Sequence, residues 1–461
     1  MNNPNSNPNP KGHVIVLPYP AQGHINPLLQ FSKLLVRKGL KVTFAATPYT
    51  INLIHEPTVS VEPISDGYDE GGFNHAPSVE SYIESYRSVG SKTLSELIMK
   101  LRHSSCAVNC IVYDSMLTWA LDVAKQFGIY GAVFLTNAAS VCCIYWEMKL
   151  GNLVFPLEKL VFPISFPGLP TPLGVSDLPS FIARPDDHKG YLDAIMGIFH
   201  TLENNDWVFC NTFQELETQA LDGKWPVIPV GPMVPSAYLH QPSSEDTAYG
   251  ATLWNPTSSK SYMTWLGTKP PRSVVYVSFG SMATMTVKQA EEIATGLKAS
   301  KKSFIWVVKE SWEILPEGFI SGLSDAGLVV TWCNQLEVLA HPAIGCFVTH
   351  CGWNSVLEAL SIGVPMVAVA QWSDQPTNAI LVEVVWGVGT RAQKDPDGVL
   401  SGKELEKCIR EVMDGGKSED LKRSASKWSE SAARALSVGG TSDKDINEFV
   451  KILMSGKGKN N

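Results

Sequence analysis

The sequence predicts an α/β protein made of two doubly wound parallel-sheet domains. Three observations carry this. At 461 residues the chain exceeds one ordinary domain and suits two of roughly 200 residues each. Short apolar runs with strand character alternate with amphipathic helical stretches in the first half, and the alternation restarts in the second. Between the halves the composition breaks at Pro235–Asn255, around SAYLHQPSSEDTAYG, which reads as an interdomain linker. The expected division is a lead-in over 1–12, an N-terminal domain over 13–240, a linker over 241–260, a C-terminal domain over 261–440 and a final segment over 441–461.

Composition narrows the class. Hydrophobic residues at 44% and charged residues at 18% describe an ordinary soluble globular chain. A net charge of −8 argues against a nucleic-acid partner, because nucleic-acid binders carry basic faces. The nine cysteines are odd in number and scattered through apolar runs, which points to buried thiols in a reducing, cytoplasmic setting. The opening MNNPNSNPNPKG has no apolar core, so it reads as a disordered lead-in and not a signal peptide. The most apolar window, Phe127–Trp146, is broken by Gly131, Thr136, Asn137 and Ser140. A buried strand running into a helix explains it better than a membrane span.

In order, His13–Leu17 reads as a strand, Tyr19–Asn26 as a turn, and Pro27–Lys38 as a helix ended by Gly39, with Leu28, Phe31, Leu34 and Leu35 on one stripe. Strand Lys41–Ala46, helix Ser78–Leu101 and strand Asn109–Tyr113 follow. Leu117–Phe127 is expected helical, and Ala132–Leu135 and Val208–Asn211 are expected strands. The second half opens on strand Ser273–Ser278 with Gly280-Ser281 behind it, then strand Phe304–Val308. Helices are expected over Lys403–Met413, Leu421–Leu436 and Asp443–Leu453.

The richest stretch is Trp332–Gln375, WCNQLEVLAHPAIGCFVTHCGWNSVLEALSIGVPMVAVAQWSDQ. It reads as strand Ile344–Thr349, turn His350-Cys351-Gly352, helix Trp353–Ser361 and strand Val364–Ala370. Such a unit points the free N–H groups of a helix start beyond a strand's carboxyl end, which suits phosphate. His350, Asn354 and Ser355 can donate to a diphosphate, and Gly352 permits close backbone approach. Glu358 shares the helix face of Asn354 and Ser355 and can accept from two ribose hydroxyls. Trp332 offers a flat face for a base, and Asp374 and Gln375 offer partners for sugar hydroxyls. Singly, Trp332 would be core and Glu358 a solvated helix residue. At this spacing together they describe a nucleotide-sugar site.

From end to end the stretch resembles the signature box of the plant family 1 glycosyltransferases that use UDP-sugars on small molecules. The resemblance implies a two-domain GT-B fold, an inverting mechanism, no metal ion, and a last helix that crosses back to brace the first domain. It places Trp332 on uracil with the Cys333 backbone at the base edge, Gln335 and Glu358 on the ribose, and His350, Asn354 and Ser355 on the phosphates. It also turns Trp353, Asp374 and Gln375 to the sugar, and Gln375 at the end of the box implies UDP-glucose. Ser281 resembles a second phosphate-facing position, and Thr136 one that reaches the sugar.

His24 is the candidate base. It follows the first strand, at the mouth where open parallel sheets bind ligands, and an imidazole titrates near neutrality. The segment PYPAQGHINP matches where the family carries its catalytic histidine. A carboxylate is expected to fix its tautomer, and IVYDSMLTWALDVAKQFG offers two. Asp114 reads as the cap of the following helix, and the family's dyad aspartate aligns with Asp122, which takes the orienting role.

The acceptor side is less defined. LEKLVFPISFPGLPTPLGVSDLP is proline-rich but apolar enough to form a packed wall, and ISDGYDEGGF is expected beside it. Tyr19, Trp119, Phe134, Trp146 and Trp372 are expected to line a bulky apolar pocket. The whole chain resembles the branch acting on salicylate-like acids, auxins, triterpenoids and steroids, a mixed set of acids and alcohols. The acceptor group is a hydroxyl or a carboxyl, and the pocket leans toward a steroid-, triterpenoid-type or phenolic acceptor. The alternatives are a nucleotide-sugar-binding protein without catalysis, or glucose ester formation on small aromatic acids. The expected partners are therefore UDP-glucose and a hydrophobic small molecule, for a monomer. Asp395-Pro396-Asp397-Gly398 spells DxD but reads as a turn. Gly387–Ala392 spells GxGxxA after a helix, the wrong context for a dinucleotide. Cys333, His341, Cys346, His350 and Cys351 lack paired zinc spacing.

Overall fold

A computed structural model describes residues 12–455, apart from 105, 156, 158–159, 223–224, 241–244, 252–258, 281–284 and 310–311. Ser281, nearly all of the lead-in and much of the expected linker lie outside the described residues. The first sheet contains β1 (His13–Leu17), β2 (Lys41–Ala46), β3 (Ser60–Pro63), β4 (Cys110–Asp114), β5 (Tyr130–Leu135), β6 (Trp207–Cys210) and β7 (Ile228–Pro229), in the order β3-β2-β1-β4-β5-β6-β7. The second contains β8 (Val274–Ser278), β9 (Ser303–Val307), β10 (Gly327–Val330), β11 (Ile344–Thr349), β12 (Met366–Ala368) and β13 (Gly389–Arg391), in the order β10-β9-β8-β11-β12-β13. Every ladder in both is parallel. The central strands are apolar runs because helices cover both faces: all five residues of β1 and all six of β11 are buried.

Each sheet reverses its strand order once, between β1 and β4 in the first and between β8 and β11 in the second. Loops leave in opposite directions at such a point and open a crevice at the strands' carboxyl ends. The two crevices face each other.

Alternation along β5 decides which aromatics reach the first crevice. Ala132 and Phe134 point to the side packed by helix Gln22–Arg37, where Phe134 meets Phe31 at 5.4 Å between centroids. Phe134 is therefore core and not acceptor wall. Trp146 is core as well, buried beside Trp225. Trp119 is buried against Tyr86, its ring filling the space that Gly90 leaves by lacking a Cβ.

Helix Thr441–Met454 lies on the first sheet, far from the strands that precede it in sequence. Ile446, Phe449, Val450 and Leu453 join Val14, Phe31 and Phe209 in one apolar core, and Phe449 packs edge-on against Trp207 and Phe209 at 5.0 Å. Ser442 Oγ donates to the Gly231 carbonyl at 2.6 Å, and Lys38 pairs with Asp443. Among the described residues no helix is long and apolar enough to cross a membrane.

Candidate active site

The helix that carries His24 begins earlier than its sequence suggests. It spans Gln22–Arg37, so the expected turn is in part its first turn, and Pro27 sits inside it. A proline has no N–H to give the carbonyl four residues back. That carbonyl belongs to Gly23, and it accepts instead from Asn354 Nδ2 of the other domain at 2.7 Å. The local rule broken by Pro27 thus supplies an acceptor at the domain seam, one residue from His24.

His24 Nδ1 hydrogen-bonds Asp114 Oδ2 at 2.7 Å, with Thr136 Oγ1 at 3.3 Å from the same nitrogen. The orienting carboxylate is Asp114 and not Asp122. β1 and β4 are neighbours with Leu17 beside Tyr113, so the residues just past them meet. Asp122 lies on an exposed face of helix Ala120–Gln126, whose cap is Trp119 and not Asp114. Asp114 is fully buried, and its Oδ1 accepts from the Met116 N–H, which leaves Oδ2 for the imidazole. Burial opposes charge on His24, but the Asp114 carboxylate and its hydrogen bond outweigh it, so the imidazole titrates above its ordinary value. Tyr19 stands edge-on to this ring at 5.3 Å and to Tyr82 at 6.1 Å.

Across the cleft, helix Trp353–Ile362 starts at Gly352 with no side-chain cap, so its first N–H groups are open to a ligand. His350 lies between Gly280 and Gly352, and a Cβ on either would come within 2.5 Å of its Nε2. Burial and the nearby Lys309 ammonium push His350 down to about 4, so it is neutral and able to donate one hydrogen bond to an anion. Gln335 Nε2 donates to Glu358 Oε2 at 2.7 Å and to Ser355 Oγ at 2.9 Å. Tyr249 donates to Glu358 Oε1 at 2.9 Å. Burial pushes the Glu358 carboxyl up to about 7 against these two hydrogen bonds. Gln375 Oε1 accepts from the Gln371 and Trp372 backbone N–H groups at 2.9 and 3.1 Å, and Nε2 has no protein partner among the described residues. Asp374 is buried, which raises its carboxyl above the ordinary value while Asn378 donates to Oδ2 at 2.8 Å.

These groups line one cleft of about 540 Å³, shared by His24, Thr136, Trp332, His350, Glu358 and Gln375 among others. Residues 250–427 match the family described as UDP-glucoronosyl and UDP-glucosyl transferase, and residues 11–59 match the glycosyltransferase N-terminal domain. UDP-glycosyltransferase 74B1 of Arabidopsis thaliana is 45% identical over 97% of this chain and 98% of its own. Flavonol 7-O-beta-glucosyltransferase UGT74F1 of the same plant is 42% identical over 96% and 98%. The crystal structure of Os79 from O. sativa in complex with UDP superposes with a TM-score of 0.90, at 38% identity, over 95% of this chain and 100% of that one. The chain is a plant family 1 UDP-glycosyltransferase.

In this glycosyltransferase the fold is GT-B, and the site joins most of the residues named from the sequence, with three differences beyond Asp114. Trp353 does not offer its indole N–H to a sugar, because that group is spent on the Asn211 carbonyl of the first domain at 2.7 Å. Asn354, at the helix start, gives its side-chain amide to the Gly23 carbonyl of the first domain. Tyr249 falls in a segment read as linker, yet its neighbours are fixed: Asp246 pairs with Lys33 and Arg37, and His55 N–H donates to the Gly250 carbonyl at 2.6 Å. The polar composition there hid a structural strap. Among the described residues no three His, Cys, Asp or Glu side chains converge as a metal site would need. The DxD tetrapeptide is a turn, with Gly398 at φ 78° and its N–H on the Asp395 carbonyl at 2.9 Å.

Proposed function

We propose that the enzyme transfers glucose from UDP-glucose, with inversion, to a hydroxyl of a bulky apolar small molecule. The single observation that carries this is the His24–Asp114 pair, 2.7 Å apart, set across the cleft from the open helix start at Gly352–Asn354. A base and an anion site facing each other across one cleft suit attack at an anomeric carbon with a diphosphate leaving group.

With Nδ1 held by Asp114, the other ring nitrogen takes the acceptor's proton as its oxygen attacks C1. The new C1–O bond forms as the bond from C1 to the phosphate oxygen breaks, and UDP leaves with that electron pair. The N–H groups at the start of helix Trp353–Ile362, with His350 and Ser355, hold the charge that develops on the diphosphate. Trp332 stacks on the uracil, the Cys333 backbone meets its edge, and Glu358 with Gln335 takes the ribose hydroxyls. Asp374 and Gln375 Nε2 hold the sugar, and Thr136 sits between sugar and base. No metal takes part, and the enzyme works as a monomer in a reducing compartment, in keeping with nine buried free thiols.

The acceptor side retains Tyr19 at the base and Trp372 edge-on to Phe181 and Tyr191. These broad apolar faces favour a fused-ring alcohol of steroid or triterpenoid type. Mass-spectrometric screening with UDP-glucose in chelator tests the whole reading. A gain of one hexose on such alcohols is expected. Hexose esters formed on small aromatic acids alone would keep the chemistry and sink the acceptor class, and no product despite UDP-glucose binding would sink the transfer.

A further inference from the structure

The loop that holds Asp374 and Gln375 is not shaped by its own domain alone. Ser373 has φ 59°, the left-handed region that side chains other than glycine avoid. Two reciprocal hydrogen bonds from Ser180, in the proline-rich segment of the first domain, hold it there. The Ser180 N–H donates to the Ser373 carbonyl at 2.8 Å, and Ser180 Oγ accepts from the Ser373 N–H at 2.7 Å. Four residues on, Thr377 Oγ1 donates to the Asp177 carbonyl at 2.7 Å. Ser180 is 1% exposed and Thr377 fully buried, so water does not compete for either tether. Backbone held in a sparsely populated conformation persists only where its surroundings over-determine it, and such places concentrate at ligand clamps.

We infer that Ser180 is a positioning residue for donor-sugar selection: the acceptor wall sets the geometry of the loop that reads the sugar. This rests on the reading that Gln375 touches the sugar. Telling glucose from its C4 epimer requires an amide placed within about 0.5 Å of a hydroxyl. Gln375 takes its place from the loop, since its Oε1 is bound to the Gln371 and Trp372 N–H groups. Removing Ser180 Oγ leaves the Ser373 N–H unpaired and frees the turn to relax toward negative φ, which moves Gln375 and leaves the nucleotide groups on Glu358 and Gln335 where they are.

The test compares Ser180→Ala and Gln375→His with the unaltered enzyme, measuring kcat/KM for UDP-glucose and UDP-galactose, and the Kd of UDP by titration. In Ser180→Ala the glucose-to-galactose ratio is expected to fall ~10-fold, the scale of one misplaced hydrogen bond, with UDP affinity within about two-fold. Thr377→Val cuts the second tether and carries the same expectation where Ser180→Ala does not fold. An unchanged ratio in the tether variants, with Gln375→His still shifting it, overturns the clamp and leaves Gln375 on the sugar. An unchanged ratio in Gln375→His overturns that contact and the clamp with it.

Discussion

Two histidines stand at the points where the two sheets reverse strand order, and their surroundings drive them opposite ways. His24 has the Asp114 carboxylate against Nδ1 and titrates above its ordinary value. His350 has burial and Lys309 for company and is pushed down to about 4. The fold supplies equivalent crevices; a carboxylate raises the first imidazole, while burial, helped by an ammonium, leaves the second neutral, and the proposed roles of base and hydrogen-bond donor follow that difference.

His24→Ala is expected to lower transfer ~10³-fold or more, within reach of what a general base contributes, while UDP-glucose still binds by calorimetric titration. Unchanged turnover would remove His24 from the chemistry.

Next comes the carboxylate. The base must be neutral, so kcat/KM rises with pH through the raised His24 value. Asp114→Asn removes the main group that raises it and leaves burial against the smaller pull of Asp374, so the acid limb moves to lower pH while the plateau falls ~10²-fold through loss of the tautomer lock. Asp122→Asn is expected to change neither by more than about two-fold. Reversed results in a pH–rate series would return the role to Asp122.

Burial holds the Glu358 carboxyl up to about 7, and ribose hydroxyls donate best to its charged form. Binding then drives off a proton, so UDP affinity weakens as pH falls, ~10-fold between pH 8 and 6 if the bound carboxylate stays charged. Glu358→Gln should bind UDP with no such slope, and a slope that survives in it would assign the titration elsewhere.

The two sides also differ in how legible they are. The proposed donor site is largely local: Trp332 to Gln375 is one continuous stretch around the unit of β11, helix Trp353–Ile362 and β12, so spacing places Asn354, Ser355 and Glu358 on one helix face. The acceptor side is assembled from the ends of β1, β4 and β5 and from a loop, and local pattern does not say which strand neighbours which. The family resemblance points to Asp122, whereas Asp114 meets His24 only because β4 lies beside β1. Phe134 and Trp146 look like pocket aromatics by composition, and strand alternation and helix packing turn them inward. Tyr249 escapes local pattern for a different reason. A polar stretch between domains carries the composition of a spacer whether or not Lys33 and Arg37 are waiting to hold it.

The helix that returns to the first sheet has a consequence for the order of assembly. Val14, Phe31 and Phe209 belong to a core completed by Ile446, Phe449 and Leu453. Translation delivers every strand of both sheets before it delivers Thr441–Met454. While the ribosome is still making the second domain, the first carries an open apolar face, and the nascent chain is a better client for a chaperone than the finished enzyme. The first domain is begun early and sealed last, by a segment encoded on the far side of its partner.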